Sequence, residues 1–330
     1  MRTLLIMSLL LLQGCYYGQA IRGQMELLNK REPIADLIAD PSTPDALRER
    51  LERARAIRAF ASVELGLPDN ASYTTYADLG RPYAVWNVTA TEEFSVQPVV
   101  WCFPFVGCVP YRGYFNEDAA HSFADQYRAS GHDVRVGGVS AYSTLGWFSD
   151  PLLNTMLDRD EMALAAVIFH ELAHQKLYVK GDTAFNEAFA TVVEEEGVRR
   201  WLAAQGRADA ISEYRARRAR SERFSELLRA TRDELRELFA GATAPEAMRE
   251  SKAALYDALR ARYRRVREEE WGGYTGYDRW FERALNNADL AAVGTYNDRA
   301  PALRELLASL DGDLAAFYRA AQDYAAPDRR

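Results

Sequence analysis

The sequence predicts an α+β fold, in which a small mixed or antiparallel sheet in the N-terminal part packs on a predominantly helical C-terminal part. Three observations predict it. Between residues 72 and 142 the chain is rich in Val, Tyr, Trp and Thr and is broken by Gly and Pro, which is the composition of short strands and turns. From residue 152 onward the apolar residues recur almost without interruption at helical spacing. The length of 330 residues, with 48% hydrophobic and 27% charged, is enough to bury a full core.

Taken in order, residues 1–14 open with Arg2 and a continuous apolar run from Leu4 to Leu12. The run is too short to cross a bilayer as a helix and fits the apolar region of a secretory signal. It ends in Leu12-Gln13-Gly14-Cys15, which resembles a bacterial lipobox. That resemblance implies removal of residues 1–14 and lipid attachment at Cys15. Tyr16 follows where an inner-membrane lipoprotein carries aspartate, so the expected location is the outer membrane of the cell envelope, facing the periplasm. Residues 15–41 then read as a membrane-proximal tether, and 42–330 as a single domain, sheet-rich over 72–150 and helical over 152–330.

The stretch STPDALRERLERARAIRAFASVELGLP, residues 42–68, predicts a helix with Thr43 as N-cap and Pro44 at its first position. YAVWNVTAT, VQPVVWCF, VPYRGYF and DVRVGGVSAY read as strands, with a helix over EDAAHSFADQYRAS. Helices are expected over 158–178, 183–204, 207–240 and 244–270. Cys102 and Cys108 bracket a Pro/Gly turn, and in an exported protein they could close a small disulfide loop; two buried thiols are the plain alternative. The net charge of −7 argues against nucleic acid as a partner. The Arg-rich runs at 214–224 and 258–270 are interleaved with Glu and read as solvated helix faces.

The chemistry concentrates in HELAHQKLYVKGDTAFNEAFATVVEEEG, residues 170–197. The helix pattern begins at Asp158, which can cap with Glu161 three residues on. His170 and His174 lie one turn apart and project from one side. Glu171 lies between them, the H-E-x-x-H pattern of zinc peptidases. Two histidines and a carboxylate on an apolar helix are costly to bury unless something pairs them. The helix should run to Tyr178 or Val179, turn at Gly181, and restart with Asp182 or Thr183 as cap. So short a connection makes the helices antiparallel and sets Glu187 level with His174, each about 6 Å from the loop. Helices about 8–10 Å apart allow two imidazoles and a carboxylate to hold one zinc ion per chain, with a fourth position open. Glu194, two turns beyond Glu187, is placed to accept from a ligating imidazole N–H, and Thr191 is a weaker candidate for that task.

HELAH followed by Asn186-Glu187-Ala-Phe-Ala resembles the gluzincin metallopeptidases, with a spacing of 12 residues from His174 to Glu187 that is shorter than in the large zinc aminopeptidases. The whole chain is similar to the bacterial predicted-aminopeptidase lipoproteins, through CYYGQA, WCFPFVGCVPYRGYF, GGVSAYSTLGWFSDPL, FHELAHQ, DTAFNEAFA and NNADLAAVGTY. The resemblance implies a gluzincin-like zinc peptidase domain acting on a peptide substrate, with Glu171 as general base. It also implies that Ser143, Thr144, Leu145 and Gly146 line the cleft, and that Tyr296 or Tyr274 steadies the oxyanion. The stretch 136–151 has the alternation of an exposed edge strand that could pair with an extended peptide. A zinc endopeptidase acting on envelope proteins, or an inactive zinc-binding lipoprotein, are the alternative expectations; the intact Glu171 disfavours the second, since structural zinc needs no base. His121 and His132 read as surface residues.

Overall fold

The structure is a computed structural model that describes residues 2–103, 107–141, 143–144, 147–292 and 299–325, with side chains from residue 16 onward. Its first half runs α1 (Arg2–Asn29), β1 (Glu32–Pro33), α2 (Ile34–Ala39), α3 (Asp45–Val63), β2 (Thr75–Ala77), β3 (Val85–Thr91), β4 (Trp101–Phe103), β5 (Gly107–Val109), β6 (Arg112–Tyr114), α4 (Glu117–Ala129) and β7 (Asp133–Val139). It continues with β8 (Leu152–Leu153), α5 (Asn154–Leu157), α6 (Glu161–Lys176), α7 (Thr183–Ala204), α8 (Ala208–Phe239) and α9 (Pro245–Glu269). Four shorter helices close it: α10 (Asp278–Phe281), α11 (Asn287–Ala292), α12 (Ala300–Ser309) and α13 (Leu314–Tyr324). The fold is α+β and dominated by helices. No helix of the described residues is long and apolar enough to cross a membrane.

The chain divides into two compact units, one made of Met1–Val85, Val139–Ile211 and Thr295–Arg330, the other of Trp86–Gly138 and Ser212–Gly294. In the first unit α6 and α7 form a buried pair, with α3 on α6 and α12 on α7. Ile168, Phe169, Leu172, Phe185, Phe189 and Val193 are all fully buried there. Gly197 on α7 makes the close approach possible, because a Cβ at that position would stand 2.7 Å from the Phe169 ring and 2.8 Å from Leu65. Phe317 of α13 stacks on Phe189 at 5.7 Å, and Tyr318 donates its hydroxyl to Leu65 O at 2.7 Å. A three-stranded sheet, ordered β1-β2-β8, pairs β1 antiparallel and β8 parallel to β2. Part of the segment expected as a tether is thus built into this unit: Leu27 and Ile34 are buried and Glu32–Pro33 pair with β2.

The second unit holds a sheet ordered β6-β3-β7 and the two-stranded β4–β5 hairpin, in which Cys102 and Cys108 face each other and form a disulfide. Its helical core gathers Leu227, Leu228 and Leu235 of α8 with Tyr256, Leu259, Tyr263 and Val266 of α9.

Against expectation, the strands form three small sheets and not one. The strands are only two to seven residues long, and β3 is flanked on both sides by β6 and β7, so the ladder closes early. Two helix starts also differ. α3 begins at Asp45, with Pro44 at the cap position and no side-chain cap, and Thr43 lies outside. α6 is capped by Asp160, whose carboxylate accepts from Ala163 N at 3.0 Å. Asp158 cannot serve, because it ends α5 in αR geometry, whereas Asp160 has the extended backbone a cap needs.

Candidate metal centre and catalytic site

The site grows out of the α6–α7 hairpin. α6 ends at Lys176, earlier than the sequence predicts, because Leu177 turns extended. Gly181 takes φ 86°, open to glycine at little cost, and Asp182 caps α7 by accepting from Phe185 N at 3.1 Å. The buried Asn186 side chain closes the connection: its Oδ1 accepts from Val179 N at 2.8 Å and its Nδ2 donates to Val179 O at 2.9 Å. Asn186 is a residue sequence reasoning left without a task. Its position directly before Glu187 explains why an amide is useful there, since it locks the loop that sets the helix register.

Three groups converge across the hairpin. His170 Nε2 lies 3.2 Å from His174 Nε2 and 3.2 Å from Glu187 Oε2, and His174 Nε2 lies 3.6 Å from Glu187 Oε1. The candidate ligand atoms of His170, His174 and Glu187 all lie within 4.8 Å of one another, and the three could hold a metal ion. Glu194 Oε2 is 3.1 Å from His170 Nδ1. An acceptor at Nδ1 favours the tautomer whose Nε2 lone pair faces the cluster once the second imidazole proton has been displaced. His174 Nδ1 is buried without a partner, so Thr191, buried one turn after Glu187, bonds neither imidazole through Nδ1.

The electrostatics describe a cluster under strain. Burial opposes a charge on His170, but hydrogen bonds to Glu187 and Glu194, with the field of Glu194 and Glu171, push it up to about 10. His174 is pushed down to about 4 by burial and by the neighbouring His170 charge, against the pull of Glu187. Burial works against the Glu187 carboxylate, yet the two histidines hold it below the ordinary carboxylate value. Protons alone therefore satisfy the site badly: one imidazole is cationic, the next is held neutral beside it, and a buried nitrogen is unpartnered. Two imidazoles and one carboxylate, one imidazole braced by an acceptor, are the donor types that suit zinc.

Glu171 lies in the field of His170 and Glu187 and of a second group of polar side chains. Burial raises its carboxyl above the ordinary value, with Glu187 and Asp150 adding to the rise and His170 and a hydrogen bond from Ser143 opposing it. Ser143 donates to Asp150 Oδ2 at 3.2 Å. Thr144 donates through its backbone N to the same oxygen at 2.8 Å and through its hydroxyl to Asp150 Oδ1 at 2.8 Å. Asp150 is 2% exposed, and burial raises its carboxyl despite these three bonds. The stretch expected as one edge strand thus stops at Val139 and continues as a loop pinned by Asp150.

Tyr73 completes this group. It is 2% exposed, and burial, with the fields of Glu171 and Asp150, pushes its hydroxyl well above the usual tyrosine range. Its backbone has φ 63°, a left-handed conformation that costs a bulky residue about 1–3 kcal/mol. Neither Tyr73 nor Asp150 stands out in the sequence; an aspartate before proline reads as an ordinary turn.

Tyr274 belongs to the other unit, with Trp271 and Tyr277 near its ring and the Arg220 guanidinium over it at 4.4 Å. Tyr296, Leu145, Gly146 and the Cys15 side chain lie outside the described residues. His121 is exposed, 3.9 Å from Glu117, and the half-buried His132 bonds Ser130.

The sequence profile of the family described as "Putative aminopeptidase" matches residues 15–330. No match was found among curated proteins or among solved structures. The chain belongs to this aminopeptidase family.

Proposed function

From that membership and the cluster at the hairpin, we propose that the protein is a zinc-dependent aminopeptidase whose metal is held by His170, His174 and Glu187. The observation that carries the reading is the convergence of two imidazole nitrogens and one carboxylate within 4.8 Å, with the half-buried Glu171 in the field of His170 and Glu187. When bound there, zinc supplies Lewis acidity, polarising a carbonyl and acidifying water. Glu194 orients His170 and holds its proton at Nδ1, keeping Nε2 free to ligate. Glu187, held anionic by its histidine neighbours, balances part of the metal charge.

Glu171 acts as the general base and then the general acid. Its raised carboxyl lies nearer the operating pH than an exposed glutamate would, which favours taking a proton from water and returning it to the leaving amine. Ser143 and Thr144, fixed by Asp150, form the wall next to this base, where the substrate backbone is expected to lie. We also propose that Cys15 carries a lipid anchor that tethers the chain to the outer membrane; the apolar run Leu4–Leu12 before Gln13-Gly14-Cys15 supports it. Cys15→Ala should release the protein from the membrane fraction.

The test is Glu171→Gln assayed on free and amino-blocked peptides. Zinc should stay bound while hydrolysis falls by about 10²–10⁴-fold, the usual worth of a general base. Wild-type rates in that variant would sink the mechanism. Cleavage of blocked peptides as fast as free ones would replace aminopeptidase by endopeptidase.

A further inference from the structure

We infer that Arg135 and Arg283, braced by Asp289, form a binding site for a carboxylate in the second unit. All three residues belong to that unit, and the site shares none with the metal ligands or with Glu171.

The first observation is the scaffold. Asn286-Asn287-Ala288-Asp289 opens a stretch that the metal centre leaves without a task, and it is fastened to the start of β7. Asn286 Nδ2 donates to Val134 O at 3.2 Å, and Asn287 N donates to Asp133 Oδ2 at 2.9 Å. The buried Asn287 side chain accepts from the Tyr256 hydroxyl at 2.8 Å and donates to Glu93 O at 2.9 Å. What this corner delivers is Asp289, 3% exposed, beside two guanidinium groups. Its Oδ1 accepts from Arg283 Nη2 at 3.1 Å and lies 3.9 Å from Arg135 Nε, while its Oδ2 accepts from Asn286 N at 3.0 Å.

The second observation is what Arg135 lacks. A separation of 3.9 Å is too long for a hydrogen bond, and among the described residues no acceptor meets its guanidinium. The buried Arg58 shows how a structural arginine is satisfied, with its donors on Ser72 O, Pro68 O and Asn70 O, each at 2.8 Å. Arg135 keeps its fork of N–H donors open although its side chain is only 24% exposed. Burial pulls it below the ordinary arginine value; Asp289 opposes that pull and the Arg283 charge adds to it. A largely desolvated cation with unmet donors is costly, and an oxyanion seated on it relieves the cost.

The third observation is space. Gly137 lies two residues on, on the same face of β7. Its φ is not positive, so backbone freedom does not explain the glycine. The nearest atoms to a Cβ placed there are all of the Arg135 guanidinium, with Nε at 3.3 Å and Nη2 at 3.5 Å. A side chain at that position would press on the guanidinium, and glycine leaves it room, as it does where a ligand comes close to a strand. Two cations and one anion leave a single net positive charge, which suits a carboxylate better than a phosphate dianion. The planar fork of an arginine also matches the two oxygens of a carboxylate. The carboxylate is that of a free small acid or of a peptide terminus.

The experiment titrates the full chain by ligand-observed NMR with acetate, N-acetylglycylglycine, the C-terminal amide of that dipeptide, and inorganic phosphate. It compares wild type, Arg135→Gln and Arg283→Gln. Arg135→Gln should weaken the free dipeptide by about 10- to 100-fold, the usual cost of losing charge-assisted hydrogen bonds, and should leave the amide unchanged. Arg283→Gln should weaken it by about fivefold, the worth of one nearby charge in high dielectric. Acetate held as tightly as the dipeptide would support a site for free acids, and a tighter dipeptide a site for peptide termini. A carboxylate held by a metal elsewhere in the chain binds wild type and Arg135→Gln alike, so the difference between them reads this site alone. Equal affinity of the free dipeptide for wild type and Arg135→Gln would overturn the inference, as would a larger loss for phosphate than for the dipeptide. If Arg135→Gln does not fold, Arg283→Gln, at a side chain 41% exposed, decides by the same criteria.

Discussion

Two helical hairpins of this molecule use similar elements for opposite ends. The α8–α9 pair buries leucines and tyrosines on one face and keeps its charges outside, where Arg262 meets Glu234 at 2.6 Å and Arg223 meets Glu270 at 2.8 Å. These ion pairs lie at the helix surface, and the burial pattern accounts for the apolar positions. The α6–α7 pair is buried on most sides and carries two histidines and several carboxylates inward, where protons leave His174 Nδ1 unpartnered. A hairpin of the first sort is a stability device. One of the second sort is expensive to fold without a ligand, and that expense is the physical argument for a metal.

The comparison can be broken from either side. The largest effect on stability is expected in the second unit: Leu259→Ala, at a fully buried core position, should cost about 2–5 kcal/mol by denaturant titration while leaving zinc content unchanged. Zinc loss in that variant would mean the two hairpins are not separable in this way. Next comes Glu194→Gln, which weakens the brace on His170 and should lower zinc affinity by about 10–100-fold; because Glu194 also holds the His170 value up, metal-free stability at neutral pH should fall as well.

The protonation of His170 sharpens the same point. Its folded value near 10 lies above the ordinary histidine value, so in metal-free protein its stabilising contribution is fully present below about 6.5 and is lost as pH rises through about 10. At neutral pH the ligand is therefore protonated, and metal must displace that proton. Calorimetry in buffers of different ionisation enthalpy should record about one proton released per zinc bound. The smallest effect is Arg262→Ala, where loss of a partly exposed ion pair should change stability by less than about 1 kcal/mol.

How far the site was legible follows from the range of the forces involved. His170, His174, Glu171 and Glu187 lie within 18 residues, on helices whose apolar pattern and short connection set their register, so local geometry sufficed to bring them together. The cap of the helix shifted from Asp158 to Asp160 because two aspartates two residues apart differ in backbone conformation, which the preceding short helix decides. Tyr73 and Asp150 were not legible. Local preference disfavours φ 63° for tyrosine, and the conformation is imposed by Arg58, 15 residues earlier, and by the Asp150 carbonyl. The separate sheets were missed for a similar reason, since strand composition names the strands but does not say which edges meet.

The most direct measurement is the zinc content of wild-type protein, Glu171→Gln and Glu187→Ala by native mass spectrometry, with hydrolysis followed on the same preparations. The account predicts one zinc per chain in the first two, none in the third, and hydrolysis only in the wild type. Zinc retained by Glu187→Ala, or hydrolysis retained by Glu171→Gln, would contradict it.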